Sequence, residues 1–115
     1  MDTRTKIVDA ARAASIAQAG ATVVSGAFDP MVVSHAERLA ALKQMSRPLL
    51  VLITTPANPI LDNRARAQLV AGLAVVDYVC HEPTGLAARI SLDAEHAERL
   101  TQLIEHVHAR QRAAS

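Results

Sequence analysis

Apolar residues in this chain are grouped in short runs separated by polar segments. The clearest run, Leu-Leu-Val-Leu-Ile-Thr-Thr at residues 49–55, is apolar on both faces of an extended chain. Similar runs at residues 21–26 and 75–80 predict two more strands. Residues 81–92 have two interpretations: a turn region, or a turn followed by a short fourth strand at 89–92. Strands that are apolar on both faces are typical of a parallel sheet covered by helices.

Four segments around these strands have the spacing of helices. Each begins at a polar residue that can accept a hydrogen bond from first-turn amides. The first covers residues 4–19, with Thr3 or Asp2 as its cap and Gly20 as its stop. The second begins at Ser34, and Glu37 completes a capping box there. The third is capped by Asp62 or Asn63 and runs to about Leu73 or Ala74, and the last is capped by Asp93. The alternation predicts a single α/β domain over residues 1–115, with a doubly wound parallel sheet of three or four strands in three layers.

Composition and charge indicate how the core is built and argue against nucleic-acid and membrane partners. Half of the residues are hydrophobic, but only one Phe and one Tyr are present, so the core must consist of Ala, Val, Leu and Ile. The formal net charge is +1, which provides no field for a polyanion, and no nucleic-acid partner is expected. Apolar runs too short to span a bilayer, and the lack of a signal-peptide pattern, predict a cytoplasmic protein without a membrane partner.

The residues that commonly bind metals do not form a convincing set. Cys80 is the only cysteine, which excludes an internal disulfide and a cysteine-based zinc cluster. His106 and His108 are two positions apart and point in different directions on a helix, and His96 lies almost three turns away. No metal site is therefore predicted from the residues, and a buried Cys80 is expected to act as a small apolar filler.

The segment Ser-Gly-Ala-Phe-Asp-Pro at residues 25–30 carries the functional signal. It lies between the first predicted strand and the next helix, where open parallel sheets bind ligands. Gly26 would allow a phosphate to approach the backbone closely, and the amides of the following helix start would attract it. Each residue also has a purely structural interpretation: Gly26 ends a strand, Phe28 fills the core, and Asp29 with the following proline starts a turn.

Residues 23–42 resemble the first motif of the cytidylyltransferase-like nucleotidyltransferases, which reads Gly-x-Phe-Asp-x-x-His-x-Gly-His-x-x-x-Leu. Residues 66–73 and 76–79 resemble a helix and the next strand of that family, nearest to the branch that activates sugar phosphates, including the ADP-heptose enzymes. The resemblance implies a Rossmann-like fold. It also implies transfer of CMP or AMP from CTP or ATP to a small phosphorylated acceptor, with release of pyrophosphate and assistance from Mg²⁺.

The resemblance also implies a set of site residues. His35 corresponds to the second motif histidine and is the candidate catalytic residue. The nucleotide- and phosphate-binding candidates are Gly26, Ala27, Phe28, Asp29, Ser34, His35 and Arg66. For His35 a partly exposed polar role, and for Arg66 a surface role, are the alternatives.

The chain departs from the motif at several positions. Val32 replaces the first motif histidine and can neither carry charge nor donate a hydrogen bond. Ser34 replaces the motif glycine, and neither the expected Lys or Arg after the second strand nor the C-terminal Ile-Ser-type motif is found. Losing one such donor lowers a rate by ~10²–10³-fold. Little catalysis by this chain alone is therefore expected, and Mg²⁺ is expected only if the chain is active.

Two functions of different classes remain open at this point. The first is a degenerate nucleotidyltransferase-like domain that keeps a nucleotide or phosphate cleft. The alternative is an inactive relic (a pseudoenzyme) that serves as a structural or oligomerisation module. The short chain leaves both a monomer and a homodimer open.

Overall fold

The structure, a computed structural model, describes residues 3–95. A 3-10 turn at Thr3–Lys6 comes first. The helices are α1 (Ala10–Gln18), α2 (Val33–Leu42) and α3 (Asn63–Ala71), and the strands are β1 (Thr22–Gly26), β2 (Leu49–Ile53), β3 (Tyr78–Cys80) and β4 (Ile90–Ser91). Residues 92–95 begin a further helix directly after β4. No helix within residues 3–95 is long and apolar enough to cross a membrane.

The four strands form one parallel sheet in the order β3-β2-β1-β4. β1 pairs with β2 from Thr22 opposite Leu49 to Gly26 opposite Ile53. After β3 the chain returns to the other side of β1, where β4 pairs with Val24 and Ser25. The direction of winding therefore reverses between β1 and β4, and such a reversal leaves a crevice at the carboxyl ends of the strands.

Helices cover both faces of the sheet. Leu39 of α2 and Val70 of α3 pack on one face, and Ala13 and Ile16 of α1 pack on the other. All five residues of β2 are buried, which is why its sequence is a continuous apolar run. The three-layer α/β fold with a short parallel sheet, as predicted, is confirmed. That residues 1–115 form one domain stays a prediction.

The first helix differs from its prediction. A helix starting at residue 4 is wrong, because Ile7 forms a parallel bridge with Val79 and the Val8 amide donates to the Val79 carbonyl at 2.8 Å. The segment is extended there, and α1 begins only after Asp9, whose side chain accepts from the Arg12 amide at 2.8 Å. Pairing with the edge of β3 thus outweighs local helix propensity. The predicted stop is confirmed, since Gly20 has a φ of +106°.

Two further helix starts are shifted. α2 begins at Val33, so Ser34 lies inside its first turn and does not cap it. The last helix is capped by Ser91, whose hydroxyl accepts from the Ala94 amide at 3.3 Å, and not by Asp93. The predicted start of α3 is confirmed, because the Asp62 carboxylate accepts from a first-turn amide, but the helix ends at Ala71 and not at Leu73 or Ala74. The segment predicted to continue this helix, including the three histidines considered as metal ligands, lies outside the described residues.

Candidate functional site

Two clefts open at the carboxyl edge of the sheet. The first, here called the loop cleft, has a volume of about 490 Å³, and its lining includes Ala27, Phe28, Asp29, Val32, His35, Ile60 and Asp93. The second, the His81 cleft, has a volume of about 370 Å³, and its lining includes Ser25, Leu52, Thr54, Thr55, His81, Glu82 and Thr84. Thr54, the residue directly after β2, lines the second cleft and donates a hydrogen bond to a residue of the first. The two clefts are therefore neighbours.

The glycine at the end of β1 makes room for an aromatic ring. A Cβ atom on Gly26 would lie 2.8 Å from Cε2 of Phe28, closer than two carbon atoms tolerate. Phe28 is buried and has a φ of +50°, in the left-handed region that non-glycine residues rarely adopt. Such a backbone costs about 1–3 kcal/mol and persists where surrounding contacts enforce it. Gly26 thus serves the packing of Phe28, which forms the floor of the loop cleft.

Asp29 ties the loop after β1 to the loop after β2. Its two carboxylate oxygens accept from the amides of Ile60 and Leu61, at 2.6 and 2.7 Å. Desolvation works to raise the pKa of Asp29, but these two amides and the Arg66 guanidinium outweigh it and hold the pKa below its usual value. The peptide bond between Asp29 and Pro30 is cis. Asp29 therefore shapes the wall of the loop cleft by holding two loops together.

Arg66 reaches the same two loops from beneath. The residue is fully buried, and its Nη1 donates to the carbonyls of Ala27 and Thr54, at 2.9 and 2.6 Å. Its Nη2 donates to Oδ1 of Asn63, and its Nε has no hydrogen-bond partner among residues 3–95. The guanidinium faces backbone carbonyls and does not line the loop cleft. In this arrangement Arg66 supports the loop, and the surface role considered for it is wrong because the side chain is buried.

His35 lies in the first turn of α2, at the rim of the loop cleft. Its Nδ1 accepts from the Val32 amide at 3.1 Å, and its ring meets that of Phe28 edge to face, with the centroids 5.3 Å apart. An Nδ1 that accepts leaves the proton of a neutral imidazole on Nε2. Val32 and Ser34, which replace two motif residues, are exposed. Of the motif positions at this helix start, only His35 brings an imidazole to the cleft.

A carboxylate that the sequence analysis missed as a site residue lies at the centre of this edge. Oδ1 of Asp93 accepts from the Ala27 amide at 3.0 Å, and Oδ2 accepts from the Thr54 hydroxyl at 2.8 Å. The contact joins the residues that follow β1, β2 and β4, and it lies at the crevice between β1 and β4. Asp93 comes directly after the predicted fourth strand, and Thr54 lies near the end of the predicted second strand. That position was the available signal, but Asp93 was interpreted as a helix cap and Thr54 as a strand residue.

The side chains around the loop cleft do not fit a metal held by the protein. Within residues 3–95 no three His, Cys, Asp or Glu side chains converge on one point. Both carboxylates of the cleft, Asp29 and Asp93, accept two hydrogen bonds each from the protein itself. Mg²⁺ is commonly bound through substrate phosphates with few protein ligands. A magnesium ion therefore stays a prediction that depends on a bound triphosphate.

Four of the seven predicted binding residues lie together in the loop cleft: Ala27, Phe28, Asp29 and His35. Gly26 and Arg66 support the loop from behind, and Ser34 lies on the exposed side of the helix start. Comparison with known proteins adds no family assignment: no protein-family model matches this chain, and no curated protein matches it significantly.

Proposed function

We propose that this chain is a nucleotidyltransferase-like domain that binds a nucleotide or another phosphate ester in the loop cleft. The observation that carries the proposal is the pair of donors at the crevice, the Ala27 amide and the Thr54 hydroxyl. They hold two carboxylate oxygens at 3.0 and 2.8 Å, and a phosphate offers the same kind of anionic oxygen. The donors lie where open parallel sheets bind their ligands.

The loop cleft, which the Thr54 hydroxyl adjoins through its hydrogen bond to Asp93, supports a ligand of nucleotide size. Its volume of about 490 Å³ lies within the ~300–1,000 Å³ that is usual for small-molecule sites. Phe28, Val32 and Ile60 provide apolar surface beside the polar donors, which suits a base attached to a phosphate. His35 provides an imidazole at the rim, and because its Nδ1 accepts from the Val32 amide, its Nε2–H is the group that would donate to a phosphate oxygen.

The enzymatic version of this proposal makes His35 the catalytic residue. An oxygen of the acceptor's phosphate would attack the α-phosphate of CTP or ATP, and the bond to pyrophosphate would break. Nε2 of His35 would donate to the phosphate oxygens on which charge accumulates. Val32 offers no second donor, so we expect transfer to be slow unless another subunit or ligand group provides one.

A second candidate function is the inactive structural module. It is favoured by the way the motif residues are used: Gly26 accommodates Phe28, Asp29 binds two amides, and Arg66 binds two carbonyls. Exposed apolar side chains near the cleft, Val33 at 73% and Ile60 at 77%, would suit contact with another protein. A homodimer with the cleft unliganded would favour this alternative.

Thermal unfolding with CTP, ATP, CMP and ADP, each with and without Mg²⁺, separates the two. Binding stabilises the fold by ~2.7 kcal/mol at a hundredfold excess of free ligand over Kd. The matched variants are His35→Ala and His35→Asn. Asn keeps an acceptor for the Val32 amide and lacks the Nε2 donor.

We expect a nucleotide-specific rise in Tm that both variants reduce, and release of pyrophosphate with a phosphorylated acceptor if the domain is active. A shift that survives in both variants would remove His35 from the site. No shift at millimolar nucleotide would contradict nucleotide binding and favour the structural module.

A further inference from the structure

The two donors that the proposed function relies on are already engaged within the protein. Asp93 takes the Ala27 amide on one oxygen and the Thr54 hydroxyl on the other. A hydrogen bond to an ionised acceptor is stronger than one between two neutral groups. An incoming anion therefore competes with the Asp93 carboxylate for the two donors. A phosphate bound beside the carboxylate would also be repelled by it, since like charges a few ångströms apart interact unfavourably.

Two further interactions hold the segment that carries Asp93 in place, one before and one after Asp93 in the chain. The Ser91 hydroxyl caps its first turn, at 3.3 Å from the Ala94 amide. Glu95 forms a two-pronged ion pair with Arg38 of α2, at 3.0 and 3.1 Å. Asp93 is therefore held over the donors from both sides along the chain, although its own side chain is exposed.

We infer that Asp93 determines which ligands the loop cleft accepts, because its carboxylate occupies the position of a ligand phosphate and must be displaced before an anion binds. The inference rests on the proposed function, since it concerns the same donors. It predicts that wild-type protein binds phosphate esters weakly, and that the loss of one negative charge at this position makes binding stronger. The affected ligands are those with a phosphate group, such as pyrophosphate and CTP.

The test compares four proteins by titration calorimetry with pyrophosphate and with CTP: wild type, Asp93→Asn, Asp93→Ala and Glu37→Gln. Asn is nearly isosteric with Asp and keeps one acceptor for the Ala27 amide. Glu37→Gln removes the same charge from an exposed position on α2, so it controls for net charge. Asp93→Ala, which removes the competing group entirely, is the second variant.

We expect Asp93→Asn to bind about tenfold more tightly than wild type, a change that corresponds to ~1.4 kcal/mol. Asp93→Ala should bind at least as tightly, and Glu37→Gln should match wild type.

Two other results overturn it and differ in their meaning for the proposed function. If wild type binds and the Asp93 variants bind equally or more weakly, Asp93 does not compete, and the proposed function stands. If wild type and both Asp93 variants fail to bind pyrophosphate and CTP, the proposed function fails and the inference fails with it. Amide chemical shifts of Ala27 during the titrations locate any binding at the donors.

Discussion

The two clefts at the carboxyl edge differ in how they are held. Around the loop cleft, side chains connect the loops after β1 and β2 to each other, to α3 and to the residues after β4, through Asp29, Arg66 and Asp93. In the His81 cleft, Glu82 turns its carboxylate to the Ala10 amide at 2.8 Å and so stabilises the start of α1. The loop cleft is built by charged side chains that act on the backbone, whereas much of the His81 cleft is lined by hydroxyls and apolar groups.

This difference has consequences for stability. Removal of a buried charged group that donates to backbone carbonyls lowers the free energy of unfolding strongly, because the carbonyls then lack a partner. The loop cleft should therefore be sensitive to single substitutions and to pH, and the His81 cleft should tolerate both better.

The largest effect is expected at Arg66. Arg66→Met keeps much of the side-chain volume but leaves the Ala27 and Thr54 carbonyls without their donor. We expect the free energy of unfolding to fall by about 3 kcal/mol, measured by urea denaturation. Arg64→Met, at an exposed position of the same helix, should change it by less than about 0.5 kcal/mol. Equal effects of the two substitutions would contradict the role assigned to the buried guanidinium.

A smaller effect is expected at the glycine of β1. Gly26→Ala would place a methyl group 2.8 Å from the Phe28 ring, so the ring must move out of its buried position. Overpacking of this kind costs about 1–3 kcal/mol, which thermal unfolding would detect. The control is Gly85→Ala beside the His81 cleft, where an added Cβ meets no atom within 4 Å. If Gly85→Ala proved the more destabilising, the comparison between the clefts would be wrong.

The smallest effect is expected from acid. The pKa of Asp29 is lowered in the folded protein, so its contribution to stability is present above the unfolded pKa and is lost as pH falls through the folded one. From about pH 4 downwards, wild type should therefore lose Tm more steeply than Asp29→Asn. At pH 6 the variant should be the less stable protein, since an amide accepts fewer backbone hydrogen bonds than a carboxylate. Parallel Tm curves between pH 6 and 2.5 would show that Asp29 does not contribute in this way.

Asp77 provides an internal comparison for that experiment. Desolvation opposes its ionisation, but Lys43, at 2.6 Å, and the Leu49 amide lower its pKa below the usual value. Asp77 lies at the amino end of the strands, opposite the two clefts, because its carboxylate accepts from the amide of Leu49, the first residue of β2. Asp77→Asn should also make the loss of Tm with falling pH less steep than in wild type, without changing ligand binding in the loop cleft.

The sequence alone determined the class of fold and the edge at which the site lies. The run at residues 49–53 is apolar at every position because β2 is buried on both faces, and that pattern is visible without a structure. The segment from Gly26 to His35 joins a strand to a helix, so its place at the carboxyl edge follows from chain order. Four residues predicted from this segment, Ala27, Phe28, Asp29 and His35, line the loop cleft.

The tertiary structure decided which groups face the loop cleft. Whether Arg66 points into the cleft or beneath it depends on the carbonyls of two loops that are distant in sequence. The extended start at Ile7 depends on β3, more than seventy residues later. Asp93 reaches the Ala27 amide only because β4 returns beside β1. Local patterns record propensity and burial, but hydrogen bonds between distant segments depend on the folded backbone, and those bonds define this site.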